Sequence, residues 1–133
     1  MASPPPTRGI RHIALWFDDL ARAERFYVDV LGYVVEWRPD DVDLYLTRGE
    51  DNLALHRRKQ PLGERPKDTA LDHFGLLVDR ADDVHAWASW LKEHRVALDT
   101  EPRTHRDGAT SFYLRDPEGN RIQIIHHPPI AAK

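Results

Sequence analysis

The sequence predicts an α+β protein made of two βαβββ repeats that roll into a cup with the helices outside. Three observations predict it. A strand-like segment near the start recurs in the middle of the chain with a histidine at the same place. Each copy leads into one amphipathic helical run and then three short strand candidates. The strands alternate between an apolar face and a face carrying imidazole, amide and phenol groups.

Composition narrows the class. The chain has 133 residues, 41% hydrophobic and 31% charged, an ordinary globular mixture with enough length for one core. Nineteen Lys and Arg against 22 Asp and Glu give a formal charge of −3, so no nucleic-acid partner is expected. No apolar run approaches the ~18 residues of a membrane span. The opening Met1-Ala2-Ser3-Pro4-Pro5-Pro6-Thr7-Arg8 lacks the apolar stretch of a signal peptide and reads as a disordered tail. Without cysteine there is no disulfide or thiolate site, and a transition metal would rely on imidazole. A cytoplasmic location fits these facts.

The first strand is expected at Ile10–Phe17, with Ile13, Leu15 and Phe17 on one face and His12, Ala14 and Trp16 on the other. Asp18-Asp19 supplies an N-cap for a helix from Leu20 to Leu31, whose apolar stripe Leu20, Ala23, Phe26, Tyr27, Val30 and Leu31 ends at Gly32. Strands follow at Tyr33–Trp37, Val42–Thr47 and Asn52–His56, separated by turn-forming Arg38-Pro39-Asp40-Asp41 and Arg48-Gly49-Glu50-Asp51. Residues 57–70 are charged, proline-containing and without periodicity, which makes them a linker.

The pattern then restarts. Leu71–Val78 repeats the first strand, and His73 falls where His12 fell. Asp79 or Asp82 is expected to cap a second helix with the stripe Val84, Trp87, Trp90 and Leu91. Strands are expected at Ala97–Thr100, Ser111–Arg115 and Arg121–His126, the last two joined by the turn Asp116-Pro117-Glu118-Gly119-Asn120. The organisation is a tail (1–8), one domain (9–127) of two modules at about 9–56 and 71–127, and a tail (128–133).

Strand parity locates the chemistry. Opposite the helix-facing residues lie His12, Trp16, Asp43, Tyr45, His56, His73, Ser111, Tyr113, Arg115, Arg121 and Gln123. So many polar and aromatic groups on one face describe a site, whereas Leu53, Leu55, Phe112, Leu114, Ile122 and Ile124 opposite describe a core. Two histidines at one position of an internal repeat suit a metal. Trp16, Tyr45, Arg115 and Arg121 are the expected substrate pocket. Trp87 and Trp90, at helical spacing, are expected in core or interface.

These residues resemble the vicinal oxygen chelate superfamily, which includes glyoxalase I, fosfomycin and bleomycin resistance proteins and type I extradiol dioxygenases. The resemblance covers about residues 9 to 127. It implies two modules paired into a partly open barrel, with a divalent metal (Fe, Mn, Ni or Zn) bound from the first strand of each module and the last strand of the second. Carried over, the implied ligands are His12, His73 and Gln123. The family's third ligand is usually Glu; Gln123 removes a negative charge and should lower affinity for a hard cation. The run from His105 through Phe112-Tyr113 to Asp116-Pro117-Glu118-Gly119 is similar to an extradiol dioxygenase signature, with Gln123 again replacing Glu.

Two function classes stay open. One is a metal-dependent enzyme of the lyase, isomerase or ring-cleaving type, whose substrate chelates the metal through two adjacent oxygens, with Tyr113 and either His56 or His105 handling protons. The other is a metal-free cup that sequesters a small molecule. The paired histidines favour the first and Gln123 the second. A homodimer is expected by analogy, with a small-molecule substrate as the other partner.

Overall fold

The computed structural model describes residues 3–63 and 69–128, in two compact units that divide after Gly63. Residues 64–68 of the expected linker, and 1–2 and 129–133 of the expected tails, lie outside the described residues.

In the first unit the predicted alternation forms β1 (His12–Phe17), with Leu15 and Phe17 buried and His12, Ala14 and Trp16 exposed. Asp19 caps α1 (Leu20–Arg25) by accepting the Arg22 N–H at 3.0 Å. The helix expected to reach Leu31 widens into a π turn over Phe26–Val30. Phe26 and Tyr27 are both buried there. Tyr27 meets Phe17, Phe26 and Tyr33 edge-on, with centroids 6.1, 5.4 and 6.1 Å away.

Three strands follow: β2 (Val34–Trp37), β3 (Asp43–Thr47) and β4 (Asn52–Arg57). The sheet order is β1-β4-β3-β2, with β1 parallel to β4 and the other pairs antiparallel. A parallel pair requires a long crossover, and the helix with the two intervening strands supplies it. Asp51 locks the β3–β4 turn. Its Oδ1 accepts the Arg48 N–H at 2.6 Å and its Oδ2 accepts the Tyr33 hydroxyl at 2.9 Å. Burial, and next the Asp51 charge, push the Tyr33 phenol well above its ordinary range.

The second unit repeats this plan. Its first strand, β5 (Phe74–Leu77), is shorter than expected, so His73 immediately precedes it. The second helix, α2 (Ala81–Glu93), is capped by neither Asp79 nor Asp82. It begins one residue after Arg80, whose extended backbone N–H donates to Asp83 Oδ2 at 3.1 Å. This start places Asp83, not Asp82, at the third helical position, from which a carboxylate reaches back. The buried stripe is Val84, Ala88 and Leu91, while Trp90 is exposed and lies against the His94 ring with centroids 3.8 Å apart. The four- and three-residue steps of that stripe turn Trp90 to the rim.

The helix ends in a Schellman pattern, with Val96 N–H on Leu91 O at 2.9 Å and Arg95 N–H on Lys92 O at 3.1 Å. Arg95 adopts φ 61° there, where glycine is usual. The strand expected at Ala97–Thr100 is reduced to a single bridge between Leu98 and Leu114, and the short β6 (Arg103–Thr104) takes the edge instead. Thr100 Oγ1 accepts the Tyr113 N–H at 2.9 Å, so a side chain replaces the carbonyl a paired strand would offer.

β7 (Thr110–Arg115) and β8 (Arg121–His126) complete the sheet β5-β8-β7-β6, again with the first and last strands of the repeat parallel. Phe112, Leu114, Ile122 and Ile124 are fully buried, as are Val84 and Leu91 of α2. Their turn is held by buried Asp116, whose Oδ1 accepts the Glu118 and Asn120 N–H groups at 2.9 Å each. The α+β class and the two βαβββ repeats are therefore as the sequence predicts.

Candidate functional site

Each predicted ligand has one polar atom fastened and another left as a donor. On β1, His12 Nδ1 lies 2.6 Å from Asn52 Oδ1, its neighbour in the parallel register with β4. The Asn52 amide is oriented by its own Nδ2, which donates to Glu36 Oε2 at 3.0 Å. With its oxygen facing the ring, Asn52 accepts only, so His12 Nδ1 carries the proton and Nε2 keeps the lone pair a metal needs.

In the second unit His73 Nδ1 lies 2.6 Å from Asp72 Oδ2, again leaving Nε2. The hydrogen bond from His73 is the main cause holding the Asp72 carboxyl below the usual carboxylate range, with the His73, Arg121 and Arg115 charges acting in the same direction. Gln123 pairs with Gly75 of β5 and Tyr113 of β7. Its Nε2 donates to the buried Ser111 hydroxyl at 3.0 Å, and Oε1 remains. A methyl on Gly75 would sit 3.7 Å from that oxygen, in ordinary contact, so glycine leaves the approach open.

Around these donors the second unit builds a charged stack. Tyr113 packs edge-to-face with His73 at 5.0 Å, and the Arg121 guanidinium carbon lies 3.8 Å from the centroid of the Tyr113 ring. Asp99 accepts from Arg115 Nε at 2.9 Å and lies 3.6 Å from Arg121 Nε. Among the described residues, Arg121 Nε is buried without a hydrogen-bond partner. His105, in the β6–β7 turn, places Nε2 2.9 Å from Ser111 Oγ, the hydroxyl that also receives Gln123.

The first unit gathers the other predicted residues. His56 Nδ1 contacts Asp43 Oδ1 at 2.6 Å, with Trp16 and Tyr45 ring centroids 5.6 and 6.0 Å from its own. The structure thus brings His73, Tyr113, Arg121, Gln123, His105 and Arg115 together in one unit and His12, Trp16, Tyr45 and His56 together in the other.

Sequence reading missed the anchors Glu36, Asn52 and Asp72, and placed Ser111 on the site face without giving it this role. Asp72 was legible as the neighbour of His73. Glu36 was not, because the β2–β3 register breaks between Val35 and Trp37 and parity fails there. Among the described residues no three His, Asp or Glu side chains form a metal-holding group. An imidazole nitrogen and a carboxamide oxygen in the second unit, and an imidazole nitrogen in the first, are each donors that suit a borderline divalent cation better than a hard one.

Comparisons with known proteins identify the family and the fold. The family model of the Glyoxalase/Bleomycin resistance protein/Dioxygenase superfamily matches residues 9–124. Metallothiol transferase FosB of Staphylococcus haemolyticus is 29% identical over 120 residues, covering 88% of this chain and 82% of its own. Catechol-2,3-dioxygenase of Bacillus subtilis is 30% identical over 126 residues, 90% of this chain but 42% of that protein. The crystal structure of lactoylglutathione lyase from Agrobacterium tumefaciens superposes with a TM-score of 0.75 at 26% identity, covering 92% of this chain and 96% of that one.

Proposed function

The chain belongs to the Glyoxalase/Bleomycin resistance protein/Dioxygenase superfamily, and from that premise we propose that it is a metal-dependent enzyme whose small substrate presents two adjacent oxygens to the ion. His12 Nε2, His73 Nε2 and Gln123 Oε1 would hold the metal. The single observation that carries the reading is that both imidazoles have Nδ1 fastened to an oxygen acceptor at 2.6 Å. Such anchoring fixes the tautomer that a metal ligand needs.

The bound metal supplies Lewis-acid stabilisation of negative charge on a chelated oxygen. The chain's own residues do the rest. Tyr113, fixed between His73 and the Arg121 cation, offers its hydroxyl to a substrate oxygen gaining charge. Arg121 and Arg115, held by Asp99, keep that face of the second unit positive. Trp16, exposed on β1, offers an apolar wall.

The relatives act on unlike compounds, so the reaction class is tested directly. Metal analysis after chelator-free purification comes first, then turnover of catechols, a hemithioacetal and fosfomycin with Fe²⁺, Mn²⁺, Ni²⁺ or Zn²⁺. Turnover restored by a metal supports the reading. If no metal binds and none restores turnover, while an apolar ligand binds the metal-free protein, the sequestering alternative replaces it. The neutral Gln123 is the observation in favour of that alternative.

We also propose a homodimer, supported by the exposed apolar residues Val34 and Trp37 on the edge strand β2. A monomeric mass at high protein concentration refutes it. Among the described residues no helix is long and apolar enough to cross a membrane.

A further inference from the structure

Gln123 stands where a carboxylate is usual, and the exchange creates a requirement that a carboxylate does not have. Both ends of a carboxylate are oxygen. A carboxamide is a ligand only when its oxygen, and not its NH₂, is the free end. Which end is free is decided by what holds the other. For Gln123 the holder is the Ser111 hydroxyl, which accepts from Nε2 at 3.0 Å. A hydroxyl can also donate, and donation to Oε1 would leave the NH₂ as the free end. The destination of the Ser111 proton therefore sets which atom Gln123 presents.

His105 supplies that destination. Its Nε2 lies 2.9 Å from Ser111 Oγ, and Ser111 is only 1% exposed. A tight turn holds the residue in place: His105 N–H donates to Ala109 O at 2.7 Å, His105 O accepts the Gly108 N–H at 2.9 Å, and Gly108 takes φ 88°. With Gln123 Nε2 donating, His105 is the one acceptor among the described partners of the Ser111 hydroxyl. A buried hydroxyl proton without an acceptor is costly. Arg103, which faces Ser111 across the β6–β7 register, opposes this arrangement. Its Nη2 lies 3.4 Å from His105 Nδ1, and a guanidinium only donates, so it favours the proton on Nε2. That contact is long and exposed, whereas the Ser111 contact is short and buried, so the Ser111 contact prevails.

We propose that His105 and Ser111 are positioning residues that keep the Gln123 oxygen, and not its NH₂, free for the metal. Gln123 Nε2 donates to Ser111, Ser111 donates to His105 Nε2, and the ring proton stays on Nδ1. The proton His105 takes is that of Ser111, not a substrate's. Reversal of the chain, with Arg103 donating to Nδ1, Nε2 to Ser111 and Ser111 to Gln123 Oε1, withdraws the ligand. A carboxylate at position 123 would need no such device, so the pair compensates for the amide. This role rests on Gln123 being a ligand, and one arm of the test needs no metal, so that the two can fail separately.

Zn²⁺ affinity of the full chain is measured by calorimetry in two backgrounds, wild type and Gln123→Glu. In wild type, His105→Phe cannot take the Ser111 proton and should weaken binding about tenfold, the low end of the usual cost of losing an outer partner. Arg103→Leu removes the opposing donor and should strengthen binding. In the Gln123→Glu background both substitutions should leave affinity unchanged, because either carboxylate oxygen serves. Equal losses in the two backgrounds make His105 merely structural and overturn the proposal, as does an unchanged affinity in wild type. Where circular dichroism shows that His105→Phe has not folded, Arg103→Leu, at an exposed position, carries the same comparison. The second arm reads the ring itself in metal-free wild type, at a pH of about 8 where an ordinary imidazole is neutral. The ¹⁵N resonances of His105 should show the proton on Nδ1 and none on Nε2; a proton on Nε2 overturns the proposal. If neither background binds Zn²⁺ the metal reading fails, and this arm still decides the direction of the chain.

Discussion

Replacing Asn52 by Leu separates a metal ligand from an ordinary strand histidine at position 12. The substitution removes the amide oxygen that lies 2.6 Å from His12 Nδ1 and strands the Glu36 carboxylate that orients the amide at 3.0 Å. The backbone is untouched, because Asn52 N–H still donates to Arg11 O at 2.9 Å. A conserved-shape loss of an outer partner costs ~10–100-fold in metal affinity. At ~1.36 kcal/mol per decade that is about 1.4–2.7 kcal/mol of binding free energy. The same hydrogen bond contributes only about 0.5–1.5 kcal/mol net to folding. Isothermal titration with Zn²⁺ or Mn²⁺ reads the first quantity and urea unfolding of metal-free protein reads the second. The expected result is a tenfold or larger loss of affinity with a small change in stability. Unchanged metal affinity together with lowered stability refutes the reasoning and returns His12 to the role of a strand residue.

Other outcomes follow from particular contacts. Gln123→Glu should raise affinity for Mn²⁺ and Fe²⁺ in the same titration, because a charged oxygen replaces a neutral one and the Ser111 hydroxyl can turn to donate to it. Tyr33→Phe should cost about 1–3 kcal/mol in urea unfolding by leaving Asp51 Oδ2 without the hydroxyl it accepts from. Because the folded Tyr33 pKa is raised, its share of stability is present below the unfolded value of ~10 and is lost as pH rises beyond it, so the variant should show a flatter alkaline limb. Arg95→Gly should stabilise the protein by about 1 kcal/mol, since it relieves a left-handed residue in the Schellman turn; a lower urea midpoint would contradict that.

Much of this molecule was readable from alternation alone. Ile13, Leu15 and Phe17 against His12, Ala14 and Trp16 set the face of β1, and the same rule put Tyr113 and Gln123 on one face of β7 and β8, where the register then pairs them. What alternation could not reach were places where side chains substitute for backbone pairing. Thr100 takes the Tyr113 N–H, so a strand dissolves into one bridge. The helix expected to run to Leu31 widens into a π turn after Arg25. Arg80 precedes a helix that Asp83 caps from within. The candidate ligands can be named from the sequence, but their hydrogen-bond partners cannot. The histidines repeat, but one is anchored by a distant amide relay and the other by its neighbour in sequence. A repeat detects common positions and is blind to such differences.

The strand order β1-β4-β3-β2, mirrored by β5-β8-β7-β6, has a kinetic consequence. Every ladder closes inside its own repeat, and the long link from His12 to Asn52 spans 40 residues. Non-local pairing slows folding, but here the loops to be closed stay short relative to the whole chain. During synthesis the first sheet has all of its strands once Arg57 has emerged, before β5 emerges. Trp16 and Trp37, still exposed in the folded chain, lie on this early-formed sheet and face solvent from the time it forms.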